Sequence, residues 1–141
     1  MQSAAGVVGT KHKIDTVLIG TNRRYGDVMR GCVIVNERGL VIASMAEDQS
    51  MVTAMAAMTA LIADTAHRAA SNVGLSSPSS VVIRTPDGTY AVVEFTMRGR
   101  PFRVGALLKD QCKRTWFRRQ LSPERIIEEI STRVRRILEE R

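Results

Sequence analysis

Residues 49–72 read QSMVTAMAAMTALIADTAHRAASN, a stretch without Gly or Pro that is rich in Met and Ala. Both residue types have high helix propensity, so the stretch predicts one long helix. Asp48 or Ser50 can cap its start, and Asn72 and Gly74 can end it. We therefore take this helix as the central element of the chain and place the other elements around it.

The apolar residues of this central helix cover more of its circumference than one sheet can bury. At the helical period they form two stripes about 130° apart. One stripe contains Met51, Met55, Met58 and Ile62, and the other contains Ala56, Ala60, Ala63 and His67. Small side chains let two helix axes approach closely, so the same helix of a second copy could cover one stripe. The terminal helices of the same chain are the alternative cover.

Four polar residues of the central helix are candidates for specific roles. Thr53, Asp64 and Arg68 share a polar strip on a helix that is otherwise apolar, so we expect them to contact a partner. His67 lies in the Ala-rich stripe and has no second metal ligand near it in the sequence, which is typical of a core or interface histidine.

Short apolar runs on both sides of the central helix predict a sheet. Upstream, runs at 32–35 and 40–43 flank the turn residues 36–39, NERG, and this pattern predicts a hairpin. Downstream, turn residues separate three further antiparallel strands, which we place at 81–84, 90–95 and 102–108. One face of the last strand is expected to be more buried than the other, because two sets of residues alternate along it: Phe102, Val104, Ala106 and Leu108 on one face, and Arg103, Gly105 and Leu107 on the other.

Amphipathic helices are predicted at both ends of the chain. The first covers residues 11–29, and the last begins at Ser122-Pro123, with Ser as the cap and Pro in the first turn. We divide the chain into a flexible leader at 1–10, a domain at 11–108, and a basic segment with the C-terminal helix at 109–141.

This order of elements resembles the roadblock / dynein light chain family, which includes bacterial and archaeal regulators of Ras-like GTPases. The resemblance covers about residues 11–108. The first apolar strand, the NERG turn, the strand ending in Ile42-Ala43-Ser44 and the Met/Ala-rich helix carry it. The resemblance implies an α/β fold of the α+β type. It has a five-stranded antiparallel sheet, a long central helix and flanking N- and C-terminal helices.

The resemblance also implies an assembly and a function. Family members pair their central helices and join edge strands into one continuous sheet. For this chain the expected interface residues are Met51, Met55, Ala56, Met58, Ala60, Ile62, Ala63, His67, Val81 and Ile83. The implied protein is a homodimer, or a pair with a related roadblock chain. It is a scaffold or regulator that binds a small Ras-like GTPase and brings no catalytic residue of its own.

The sequence lacks the usual signs of catalysis and cofactor binding. It has no P-loop, no GxGxxG fingerprint, no suggestive Ser/His/Asp arrangement and no His/Cys cluster with zinc spacing. We therefore expect no enzyme activity, no cofactor and no metal. Two cysteines make no disulfide framework, and no apolar run approaches the roughly 18 residues of a membrane span. The expected location is therefore the cytoplasm.

Basic charge is concentrated in one part of the chain. The net charge is +7, and the stretch from Arg98 to Arg119 contains eight Lys/Arg and one acidic residue. Within 109–119 the basic residues interleave with Trp116 and Phe117, a pattern that can bind nucleic acid or an anionic membrane. A solvated helix face is the plainer alternative. A nucleic-acid-binding module is thus the main alternative function, and a small-molecule sensor is a weaker third, disfavoured by the 4% aromatic content.

Overall fold

The computed structural model describes residues 4–25, 28–109 and 123–139. The elements in chain order are α1 (Ala4–Tyr25), β1 (Met29–Val35), β2 (Val41–Ala46), α2 (Met51–Asn72), β3 (Ser80–Thr85), β4 (Gly88–Met97), β5 (Arg100–Lys109) and α3 (Pro123–Glu139). The strands form one antiparallel sheet in the order β2-β1-β5-β4-β3. This confirms the predicted five-stranded sheet with a long central helix and flanking terminal helices.

The NERG turn closes the β1–β2 hairpin through the side chain of its asparagine. Asn36 Oδ1 accepts hydrogen bonds from the backbone N–H groups of Arg38 at 2.9 Å and Leu40 at 3.0 Å. Gly39 has a φ of +79°, a backbone conformation that costs glycine little and other residues more. The turn therefore forms because Asn supplies local acceptors and Gly tolerates the left-handed conformation.

Both ends of α2 are defined by local hydrogen bonds. At the start, the Asp48 carboxylate accepts from the Ser50 backbone N–H at 3.0 Å and the Ser50 hydroxyl at 2.8 Å, which lowers the pKa of Asp48. At the end, Gly74 has a φ of +79° and the Leu75 N–H donates to the Ala70 carbonyl at 2.8 Å. A left-handed glycine with this backward hydrogen bond is a common helix stop.

The sheet is covered on both faces, and of the described helices α2 is the one that covers the first face. On that face Val33 and Val35 of β1 pack against Met55 and Ala56 of α2. The opposite face carries α1 and α3 and contains the larger core. Its fully buried residues include Ile14, Leu18, Ile34, Val104, Ile126, Ile127, Ile130 and Val134. The expectation that one face of β5 would be more buried than the other is wrong: Val104 and Ala106 are buried on one face, and Arg103 and Gly105 are buried under α2 on the other.

The two terminal helices are joined by a cluster around Glu129. The Tyr25 hydroxyl donates to Glu129 Oε2 at 2.6 Å, and Arg24 forms an ion pair with Glu129 Oε1. Arg133, one turn further along α3, adds a second ion pair at 3.3 Å. Burial and the neighbouring carboxylate raise the pKa of Tyr25. These contacts, with the buried isoleucines of α3, place the C-terminal helix in the same core as the sheet.

The first helix differs most from its predicted bounds. Residues 4–10, assigned to a flexible leader, are helical, so α1 begins seven residues earlier than predicted. The helix also ends at Tyr25 instead of 29, and Val28 and Met29 are buried at the start of β1. Gly26 follows directly, and Gly has low helix propensity. Among the described residues, no helix is both long and apolar enough to cross a membrane.

Candidate functional site

The central contact between α2 and the sheet is polar and very close. Thr59 is fully buried on α2, and its hydroxyl lies 2.6 Å from the Tyr90 hydroxyl on β4. Tyr90 donates its proton to the Met55 carbonyl at 3.1 Å, so its oxygen accepts from Thr59. Opposite them is Gly105, where an added Cβ would collide with both hydroxyls. The absence of a side chain at Gly105 therefore allows α2 to approach the sheet.

Burial keeps two titratable groups protonated, one on each face of the sheet: the Tyr90 hydroxyl on the α2 face and the Cys32 thiol on the opposite face. Burial raises the pKa of the Tyr90 hydroxyl to about 12, although the Thr59 hydrogen bond opposes part of the shift. Burial also raises the pKa of the Cys32 thiol to about 12. A thiolate is the nucleophilic form of cysteine, so Cys32 is a packing residue at neutral pH. Tyr90 remains a hydrogen-bond donor that holds α2 in place.

A chain of four charged or titratable side chains connects α2 to strands β4 and β5. Arg103 on β5 donates to Glu94 Oε2 at 2.9 Å and to Asp64 Oδ1 at 2.7 Å. The second oxygen of Glu94 accepts from His67 Nε2 at 3.0 Å. The Arg103 side chain is only 9% exposed, so its two carboxylate partners compensate a charge that water barely reaches. This network fixes the orientation of α2 on the sheet.

The outward side of α2 and the adjoining sheet edge expose large apolar side chains. Met58 is 48% exposed and Leu61 is 58% exposed on α2, and Ile83 on β3 is 41% exposed. Ile83 pairs with Tyr90 across the sheet, and directly paired residues point to the same face, so Ile83 lies on the α2 side. β3 is the last strand of the sheet, and its outer edge has no neighbouring strand among the described residues. We call Met58, Leu61, Ile62 and Ile83 the apolar strip.

The structure divides the predicted interface residues into three groups. Met55, Ala56 and Ala63 are buried against the chain's own sheet. Partly buried are Met51, Ala60, Ile62, His67 and Val81, and exposed are Met58 and Ile83. The Ala-rich stripe is therefore the one that is largely covered by the chain's own sheet. A role of the whole set in dimerisation stays a prediction.

The three predicted partner contacts all lie on the exposed surface of α2. Thr53, Asp64 and Arg68 are exposed, and the helical period places them on one side of the helix. Met58 and Ile62 lie on the other side. Asp64 also forms the ion pair with Arg103, so it supports the fold in addition to any contact with a partner protein. The outward surface of α2 thus has an apolar flank and a polar flank.

Most of the basic segment lies outside the described residues, which resume at 123 after Lys109. Lys109 forms an ion pair with Glu47 at 2.9 Å, and Arg30 lies 3.6 Å from the same carboxylate. The hydrogen bond from Lys109 contributes most to lowering the pKa of Glu47. Within the described ranges no group of three or more His, Cys, Asp or Glu could hold a metal ion.

The sequence analysis did not identify three residues of this site. Leu61 was not assigned to either stripe, although its place beside the polar residues Asp64 and Arg68 makes an apolar side chain unusual there. Thr59 and Arg103 were missed because their partners are distant in sequence. A buried threonine or arginine is understood only when its hydrogen-bond partners are known.

Comparisons with known proteins support the fold. No family model and no curated protein sequence matches the chain, but solved structures do. MglB of Myxococcus xanthus superposes with a TM-score of 0.72 at 14% identity, covering 99% of this chain and 94% of that one. A gliding protein MglB of Thermus thermophilus gives 0.68 at 17% identity, covering 100% and 96%. A roadblock/LC7 domain of Streptomyces avermitilis gives 0.61 at 17%, covering 87% and 92%. The chain therefore has the roadblock/LC7 fold, as the sequence predicted.

Proposed function

We propose that this protein is a cytoplasmic homodimeric adaptor of the roadblock type that binds and regulates a small Ras-like GTPase, without a catalytic group of its own. The observation that carries the proposal is the apolar strip beside the free edge of β3. Met58 and Leu61 face outward although the inward face of α2 is already buried. Exposed apolar residues next to an unpaired strand edge favour association with another protein surface.

Self-association would cover the apolar strip and pair the edge of β3 at the same time. In a two-fold pair, β3 of each copy would lie beside β3 of the other, and the two α2 helices would meet above that junction. Leu61 and Met58 would leave water, and the edge of β3 would gain hydrogen-bonding partners. A related roadblock chain with the same features could replace one copy.

We expect Leu61→Glu to abolish the dimer. A buried, unpaired carboxylate at the interface is strongly unfavourable, so the dimer dissociation constant should rise at least a hundredfold, about 2.7 kcal/mol. Light scattering should give twice the chain mass of 15.6 kDa for the wild type and the single chain mass for the variant. Thr132→Glu is the matched control, because Thr132 is also an exposed helical residue but lies on α3. A wild-type monomer, or a variant that dimerises as well as the wild type, would contradict the proposal.

The GTPase would bind the polar flank of α2, at the border of the helix pair. Thr53, Asp64 and Arg68 offer a hydroxyl, a carboxylate and a guanidinium for hydrogen bonds to a partner. Regulation would follow from tighter binding to one nucleotide state of the GTPase, which shifts the population towards that state. Arg68 is the best single probe, since Asp64 also supports the fold through Arg103.

The corresponding experiment is a pull-down with small Ras-like GTPases loaded with GDP or with a slowly hydrolysed GTP analogue. We expect at least tenfold stronger retention of one nucleotide state of the GTPase. Arg68→Glu should lower the retention of that state at least tenfold, so that the two states are retained equally. Arg23→Glu on the exposed side of α1 is the control with the same charge change. Equal retention of both states by a confirmed dimer would reject the GTPase assignment while leaving the adaptor assignment in place.

A further inference from the structure

The edge of the sheet formed by β2 has its own exposed apolar residues, separate from the apolar strip. Strand β2 is the other end of the sheet, opposite β3. Val41 on β2 and Ile19 on α1 are each 43% exposed, and Leu40 precedes the strand in an exposed position. The proposed dimer uses β3 and leaves this edge unoccupied. The β2 edge is thus a second surface that the proposed function does not explain.

A groove runs along this edge between β2 and α1. Its volume is about 360 Å³, and it is open to solvent. Asp15 and Ile19 line it from α1, and they lie four residues apart, one turn along the helix. Val41 and Met45 line it from β2. The groove therefore combines apolar contacts, one carboxylate and the free side of a strand.

Strand β2 lacks the features that usually protect an edge strand from pairing. Edge strands commonly carry Lys, other charges or Pro. The β2 sequence, VIASMA, contains none of these. Its one irregularity is at Ile42, which is the extra residue where the register with β1 shifts. The stretch Ala43–Ala46 pairs regularly with β1, and among residues 4–25, 28–109 and 123–139 no strand pairs with its other side.

A second copy of this chain fits the β2 edge poorly. Helix α1 packs against β2, so two copies paired through β2 would bring their α1 helices close together. Neighbouring strands lie only about 4.8 Å apart, whereas packed helices need about 8–10 Å between their axes. A single extended segment without a helix above it has no such conflict. Main-chain hydrogen bonds to the edge would hold it, and alternate side chains would enter the groove.

The charge in the groove specifies the segment further. Asp15 has no ion-pair partner among the side chains that the structure describes, and it faces the groove beside Ile19. A Lys or Arg two residues from an apolar side chain would place both on the α1 side of an added strand. We propose that the β2 edge binds an extended peptide of a partner protein, with a basic residue opposite Asp15 and an apolar residue opposite Ile19.

Fluorescence anisotropy with two labelled heptapeptides tests this proposal. The probes are Thr-Val-Thr-Lys-Thr-Val-Thr and the same peptide with Glu in place of Lys. We expect the wild-type chain to bind the Lys peptide at least tenfold more tightly. Asp15→Lys should reverse the preference, whereas Thr16→Lys, which adds positive charge at an exposed neighbouring position, should keep it. Methylation of alternate backbone amides of the Lys peptide should abolish binding, since strand pairing needs those N–H groups.

Three results would overturn the proposal. They are equal affinity for the two peptides, binding that survives amide methylation, and a dissociation constant of the Lys peptide above about 1 mM. The same titration with Leu61→Glu separates this site from the proposed dimer. Unchanged peptide affinity in that variant is expected, because Leu61 lies on the opposite face of the sheet from α1.

Discussion

Gly105→Ala should lower the free energy of unfolding by about 3 kcal/mol. A Cβ at this position would collide with the Thr59 hydroxyl and lie 2.6 Å from the Tyr90 hydroxyl. Overpacking alone costs about 1–3 kcal/mol, and separating the two hydroxyls adds about 1–3 kcal/mol for buried polar groups left without partners. Urea denaturation followed by circular dichroism would measure the loss, which is a large part of the total of about 5–15 kcal/mol.

Gly31→Ala is the matched control, because Gly31 also lies in a strand under α2. There the added Cβ would meet the end of the Met55 side chain at 3.1 Å. Methionine has several rotatable bonds and adapts to small changes, so we expect a loss below about 1 kcal/mol. Equal losses at the two positions would show that the close approach at Thr59 is not important for stability.

Glu94→Leu should destabilise the protein by about 3 kcal/mol. The substitution leaves the nearly buried Arg103 with only Asp64, which is itself half exposed. Removing one member of a buried ion pair costs about 3–5 kcal/mol, and we expect the lower end since Asp64 stays bound. His67 also loses its acceptor. Thermal unfolding should show a lower midpoint, by about 6–12 °C for a chain of this size.

The double variant Glu94→Leu/Arg103→Leu should recover most of this loss. Removing both charges eliminates the unpaired buried cation, and leucine can fill similar space. The cycle of single and double variants then gives the coupling energy of the pair. Asp64→Ala provides a comparison with a more exposed carboxylate, for which we expect less than about 1 kcal/mol. A double variant less stable than Glu94→Leu would contradict a compensating role for the carboxylate.

Local signals predicted the elements of this fold well. The NERG turn, the uninterrupted helix from Met51 and Pro123 at the start of α3 all lie within two residues of their expected places. These features depend on neighbours in the sequence, such as the asparagine side chain that accepts from its own turn. The start of α1 was missed because its first seven residues contain two glycines, which have low helix propensity.

The candidate site was harder to predict, because its contacts join distant parts of the chain. Both Met55 and Ala56 lie on apolar stripes, but periodicity does not show which stripe meets the sheet. That choice depends on Thr59, whose partners Tyr90 and Gly105 lie on other elements. Once these three residues meet, the rotation of α2 is fixed and Leu61 points outward. Contacts between residues distant in sequence thus determine which face of α2 meets the sheet, a choice that the helical periodicity alone does not make.

The strand order also has a consequence for how the chain folds during synthesis. Hairpin β1–β2 and the consecutive strands β3, β4 and β5 pair locally, but β5 must then insert beside β1. At about 5–20 residues per second, the ribosome needs on the order of ten seconds to make the residues between β1 and β5. During that interval the apolar strand Met29–Val35 has a partner on only one side. The nascent chain is therefore most vulnerable to wrong pairing at the strand that later lies near the centre of the sheet.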